Sequence, residues 1–209
     1  MSDNLEFYFS FRSPYSWLAL YRLNLLKDEL AVEIQMIPVF PAQSKDDVML
    51  SNREKVKYIT KDIVRITTAY GLDIKWPDPF DTDWLIAHTA YIYAEEQGKG
   101  LPFSLVLYNA RFLQGKDIAD EEILRGLATE NGLDAQALID ALAIRKYKKK
   151  LLQGMSAAKH AGVFGVPYFV YKDSAYWGND RLEWLIRDIN RDSGENIPDL
   201  SIDPFKRPY

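Results

Sequence analysis

The chain has 209 residues, 26 Lys and Arg against 30 Asp and Glu, a formal net charge of -4, and is 47% hydrophobic and 13% aromatic. That is an ordinary globular composition with room for one full core plus an insertion, and it lacks the basic field that draws in nucleic acid or anionic lipid. The absence of cysteine excludes disulfides, thiolate nucleophiles, thiolate zinc sites and dithiol exchange together, and two histidines, His88 and His160, are too few for a His-rich metal centre.

Leu5, Phe7, Phe9 and Phe11 alternate with Glu6, Tyr8 and Ser10, which predicts a first strand over Leu5–Phe11. Ser13 before Pro14 places an N-cap oxygen ahead of a ring preset for the first helical turn, so a helix is predicted from here to about Glu29. Between Ala31 and Ile37, Val32, Ile34 and Met36 alternate with Glu33 and Gln35, and strand, helix, strand in that order predicts a right-handed βαβ unit. From Asn52 the period becomes helical: Val56, Ile59, Ile63, Ile66 and Tyr70 share a stripe that ends at Gly71. Further helices are predicted over Trp84–Gln97, Pro102–Leu113, Asp120–Glu130, Asp134–Leu142 and Ile144–Ala161, with Asn131-Gly132 as a stop before Asp134. Pro167–Tyr171 and Ala175–Trp177 read as a hairpin, followed by a helix from Asn179 to about Arg191.

The predicted fold class is therefore α/β, with one α/β domain made of residues 1–40 and 160–209 and an all-helical insertion at 41–159. The tail from Ser193, with Pro198, Pro204 and Pro208, is expected to be extended on a surface or loose. No basic-then-apolar leader opens the chain and no 18-residue apolar run occurs, so a cytoplasmic protein with no membrane partner is expected.

Three turns are candidate chemistry. Ser13-Pro14-Tyr15-Ser16 opens a helix, where unpaired N–H groups and the positive dipole end favour an anion and lower a nearby thiol pKa; Ser13 as a simple cap is the plainer reading. Val166-Pro167 opens a strand, either as an ordinary trans bond or as a cis bond that offers the Val166 backbone to a peptide-like ligand. Asn179 and Asp180 stand where a helix cap is expected, and the Asp180 carboxylate and Asn179 amide also suit a ligand's ammonium or carboxylate. Asn52 and Lys55 open the first inserted helix, where Lys55 supplies positive charge. Arg145, Lys146, Lys148, Lys149 and Lys150 read as a solvated face, and His88 as structural. Gly98-x-Gly100 is no dinucleotide fingerprint, and no phosphate-binding Walker loop or G-x-S-x-G elbow occurs.

Phe7 to Ala19, Gly162 to Pro167 and Trp177 to Glu183 resemble the 2-hydroxychromene-2-carboxylate isomerases and kappa-class glutathione transferases, and Asn52-x-x-Lys55-x-x-Tyr58 and Phe112-x-x-Gly115-x-Asp117-Ile118-x-Asp120 also match. The resemblance implies a thioredoxin-like fold with a DsbA-type helical insertion, serine in place of the redox cysteines, and glutathione as the imported thiol. It further implies that Ser13 donates to the glutathione sulfur, that Pro167 is cis, that Val166 pairs with the glutathione backbone, that Asn179 and Asp180 hold the γ-glutamyl end, and that Asn52 and Lys55 lie near the ligand. The implied reaction is a reversible thiol addition to the chromene, ring opening, bond rotation and elimination to trans-benzylidenepyruvate, carried out by a homodimer. Arg12 stands where leucine is common in this family and adds positive charge. A kappa-like transferase that consumes glutathione, and a redox-inactive module that holds a peptide at Val166-Pro167, are the alternatives. The substrate, a small aromatic or electrophilic molecule, is expected between the insertion and Ser13, with Trp17, Trp76, Trp84 and Tyr93 as candidate lining.

Overall fold

The computed structural model describes residues 4–26, 30, 32–40 and 52–194, and among these are four strands and eight α-helices. Strand β1 (Asn4–Phe9) leads into α1 (Pro14–Leu26) and β2 (Glu33–Pro38), which pairs parallel with β1 as the βαβ reading requires. Six helices follow: α2 (Arg53–Ala69), α3 (Trp84–Glu96), α4 (Gly100–Phe112), α5 (Glu121–Glu130), α6 (Ala135–Ala143) and α7 (Arg145–His160). The hairpin β3 (Tyr168–Tyr171) and β4 (Ser174–Trp177) then closes a sheet of order β2-β1-β3-β4, and a 3-10 turn (Asn179–Arg181) leads into α8 (Leu182–Ser193).

The period of two in β1 sorts its side chains between two layers. Leu5, Phe7 and Phe9 join the main core, where Phe7 stacks on Phe169 of the antiparallel β3 at 4.9 Å. Tyr8 faces the other way into a smaller cluster with Ile37, Tyr168 and Ala158. Ala158 belongs to α7, so this last helix of the predicted insertion covers a face of the sheet. The main core continues through Trp17 and Leu18 of α1 into α3 and α4, which makes sheet and insertion share one interior.

The first strand ends at Phe9, two residues before its predicted end, because Phe11 N–H donates to His88 Nε2 (3.3 Å), outside the sheet. Helix α4 begins at Gly100, ahead of the predicted Pro102, since proline is tolerated in a first turn. The predicted end of the first helix at Glu29, the start of the insertion at Pro41 and the tail beyond Gly194 lie outside the described residues. No helix among the described residues is long and apolar enough to cross a membrane.

Candidate functional site

Ser13 sits between β1 and α1, and its hydroxyl oxygen accepts from Ser16 N–H at 3.1 Å, which satisfies one of the orphan donors of α1. The same oxygen lies 3.5 Å from Val166 O, to which its proton is directed, across 153 residues of chain. Capping and proximity to the Val166 turn are therefore both present. That second contact is at the limit of a hydrogen bond, so the hydroxyl proton is easily redirected. No acidic residue occupies the first turn of α1 to offset its positive end.

The Val166-Pro167 bond is cis. Gly178 N–H donates to Pro167 O at 3.0 Å, which brings the turn after β4 against the proline. Ser13, Val166, Pro167 and the Gly178–Asp180 turn thus meet at one end of the sheet. Phe164 and Trp177 flank them, with ring centroids 4.9 Å apart and both exposed.

The two candidates in that last turn behave differently. Asp180 is exposed and pairs with Arg181 at 3.3 Å. Asn179 is buried, and its carbonyl and side-chain oxygens accept from Arg22 Nη1 at 2.7 and 3.4 Å, while Arg22 also pairs with Glu183. Neither residue makes the expected side-chain cap, because a 3-10 turn and not an α-turn starts at Asn179. Asn52 does cap: its side chain accepts from Lys55 N–H at 3.0 Å, and the Lys55 side chain is exposed. Helix α2 lies alongside α1, tied by Tyr15 Oη donating to Asp62 at 2.8 Å and by the Tyr21–Tyr70 ring pair at 6.3 Å. Burial and Asp62 push the Tyr15 hydroxyl well above its ordinary range, so it stays protonated as that donor.

The candidate lining divides in the same way. Trp17 is fully buried, stacked on Phe112 at 5.2 Å and bonded to Asn109, and Tyr93 packs on Tyr147. Both are core residues. Trp84 is a core residue too, with Arg111 of α4 4.5 Å over its ring, whereas Trp76 is half-buried and packs on Phe80, whose carbonyl accepts from Arg111 at 2.7 Å. Arg12, next to Ser13, has Nε 3.8 Å from Asp81 Oδ1, which also accepts from Trp84 Nε1 at 2.7 Å. Arg111 and Asp81 were not among the candidates from sequence, although an arginine at a core position of an otherwise apolar helix was a signal for the first. His88 is buried, as a structural histidine should be. The lysine face of α7 pairs with Glu96 through Lys146 and Lys150.

The fold is of thioredoxin type, with the N-terminus of α1, capped by Ser13, facing a cis-proline turn. The model of the DSBA-like thioredoxin domain matches residues 4–190. A 2-hydroxychromene-2-carboxylate isomerase from Sphingobium xenophagum is 32% identical over 192 residues, covering 88% of this chain and 97% of that protein. One from Pseudomonas putida is 30% identical over 205 residues, covering 94% and 98%. A solved 2-hydroxychromene-2-carboxylate isomerase superposes with a TM-score of 0.78 at 24% identity, covering 91% of this chain and 96% of the other. The chain belongs to the DSBA-like thioredoxin family, among relatives named as isomerases.

Proposed function

We propose that the protein is a cytoplasmic, glutathione-dependent isomerase of 2-hydroxychromene-2-carboxylate or a closely related aromatic carboxylate, working as a homodimer. One observation carries the reading. In a chain without cysteine, the Ser13 hydroxyl stands at the N-terminus of α1, 3.5 Å from Val166 O beside a cis proline. Names of relatives at 30 to 32% identity support the isomerase class.

The residues fit a thiol-bearing peptide. The positive end of α1 and Arg12 favour a thiolate over a thiol, and Ser13 Oγ–H turns from Val166 O onto the sulfur while the oxygen keeps the Ser16 N–H. Val166 supplies a backbone edge beside the cysteinyl unit, Asp180 an exposed carboxylate for the α-ammonium group, and Lys55 a cation for a terminal carboxylate. Asn179, held by Arg22, positions the turn that carries Asp180, and Asn52 holds the first turn of α2 under Lys55. Glutathione, when bound, supplies a nucleophile that adds reversibly and leaves unchanged.

Titrating glutathione into wild type and Ser13→Ala, with thiolate absorbance followed against pH, tests this. Wild type should lower the thiol pKa. Ser13→Ala should bind yet lose the shift, and its isomerase turnover should fall about 100-fold or more, as when an oxyanion donor is removed. Absence of binding in both proteins, or turnover independent of glutathione, would overturn the reading. A fall in total glutathione during turnover would identify a kappa-like transferase instead.

A further inference from the structure

Arg111 is the least expected side chain in the interior. It is 1% exposed, and its Nε and Nη1 atoms are buried without a hydrogen-bond partner among the described residues. Its remaining nitrogen, Nη2, donates to Phe80 O at 2.7 Å, and its plane lies over Trp84 at 4.5 Å and Phe112 at 5.2 Å. Buried charged donors are ordinarily satisfied, because leaving them unpaired forfeits their hydration without return. Burial and the neighbouring Arg12 push the Arg111 guanidinium down to about 10, while Asp117 and Asp81 pull it upward, so it remains charged at neutral pH.

The surroundings define what would complete it. Arg12 projects from the residue beside Ser13, with its side chain 9% exposed and Nε 3.8 Å from Asp81 Oδ1, too long for a direct hydrogen bond. Asp117 is engaged elsewhere, accepting from Thr82 Oγ1 at 2.6 Å and Ala119 N–H at 3.0 Å. Trp84 and Phe112 supply aromatic surface to the guanidinium, and Trp76 packs next to them, its centroid 6.4 Å from Phe112 and 6.0 Å from Phe80. Phe80 and Asp81, on the solvent side of this corner, are both exposed. Asp81 thus sets an exposed carboxylate of the chain's own beside Arg12, in a corner that Arg111 also makes cationic.

We propose that Arg111 and Arg12 form the carboxylate-binding subsite for an aromatic carboxylate substrate, with the ring against Trp76 and Phe80 and with Asp81 as the internal carboxylate that substrate displaces. The proposal rests on the isomerase reading for the identity of the substrate, but its test does not require glutathione. Arg111 and Arg12 bind and orient the substrate; the chemistry stays at Ser13.

The test is calorimetric titration of trans-benzylidenepyruvate and of its uncharged methyl ester, without glutathione, reading the ratio of their affinities. Wild type should prefer the acid by about tenfold or more, the scale of a hydrogen bond to a charged group. Arg12→Leu and Arg111→Met should bring the ratio toward one, while Asp81→Asn, which keeps an acceptor for Trp84 Nε1, should raise it. A ratio of one in wild type, or a ratio unchanged in the arginine variants, overturns the subsite and leaves Arg111 a strut between α4 and the Phe80 segment. If Arg111→Met does not fold, Arg12→Leu and Asp81→Asn still decide, because they predict shifts of opposite sign. Failure of glutathione to bind with the ratio intact would remove the glutathione reading alone.

Discussion

His88 Nε2 accepts from Phe11 N–H at 3.3 Å, and Nδ1 donates to Trp84 O at 2.6 Å, so the ring is neutral with its proton on Nδ1. Full burial depresses its folded pKa from 6.5 to about 4. As pH falls below 6.5 the unfolded chain takes up this proton first, so the ring's contribution to stability is complete above 6.5 and lost progressively down to about 4. The shift corresponds to about 3 kcal/mol. Urea unfolding of wild type at neutral pH and near pH 4 should show a loss of that order, and His88→Gln should flatten that part of the pH dependence. An unchanged slope in His88→Gln would place the titration elsewhere. Because His88 holds the backbone just ahead of Ser13, the same acidification should loosen the β1–α1 loop.

At the scale of elements, the site depends on how the turn after β4 is held to the proline turn and to α1. Gly178 has φ +111, a region that L side chains rarely adopt, and a Cβ there would meet Asp180 Oδ1 at 2.5 Å. Gly178→Ala should therefore destabilise the fold by about 1–3 kcal/mol and weaken glutathione binding. Adding Asp180→Ala should recover part of the stability, since it removes the clash and leaves the backbone strain, but should not recover binding. Thermal melts with glutathione titrations separate the two, and full recovery of both would show that Asp180 has no ligand role. Arg22 supports the same turn from inside α1, so α1 both presents Ser13 and anchors the residues opposite it.

For the whole molecule, sheet and helices share one continuous core, in which Phe9 and Phe11 of the first strand region pack edge-on against Tyr91 of α3 and Phe11 packs on Tyr108 of α4. Tyr108 Oη also donates to Ser10 O at 2.8 Å, which ties the loop ahead of Ser13 directly to the helical part. Ser13 and the arginine corner consequently respond to the same packing. The proposed homodimer should give a light-scattering mass of twice the 24.1 kDa chain, and a single-chain mass across the working concentration range would count against it.

Local chemistry was legible in the sequence alone. Alternation in β1, the Ser13-Pro14 start, the 56–70 stripe ending at Gly71 and the absence of cysteine each depend on a few neighbouring residues, and they suffice for element type, a parallel βαβ unit and the exclusion of thiol chemistry. Motif resemblance added the family and the cis proline, which spacing alone leaves open. Tertiary structure decided which faces meet. It turned Asn179 inward onto Arg22, placed Trp17, Trp84 and Tyr93 in the core, laid α7 on the sheet, and buried Arg111 beside Trp84 and near Arg12. Periodicity shows that a helix has a buried face; which distant residues cover that face is set by packing between segments as far apart as the 153 residues separating Ser13 from Val166.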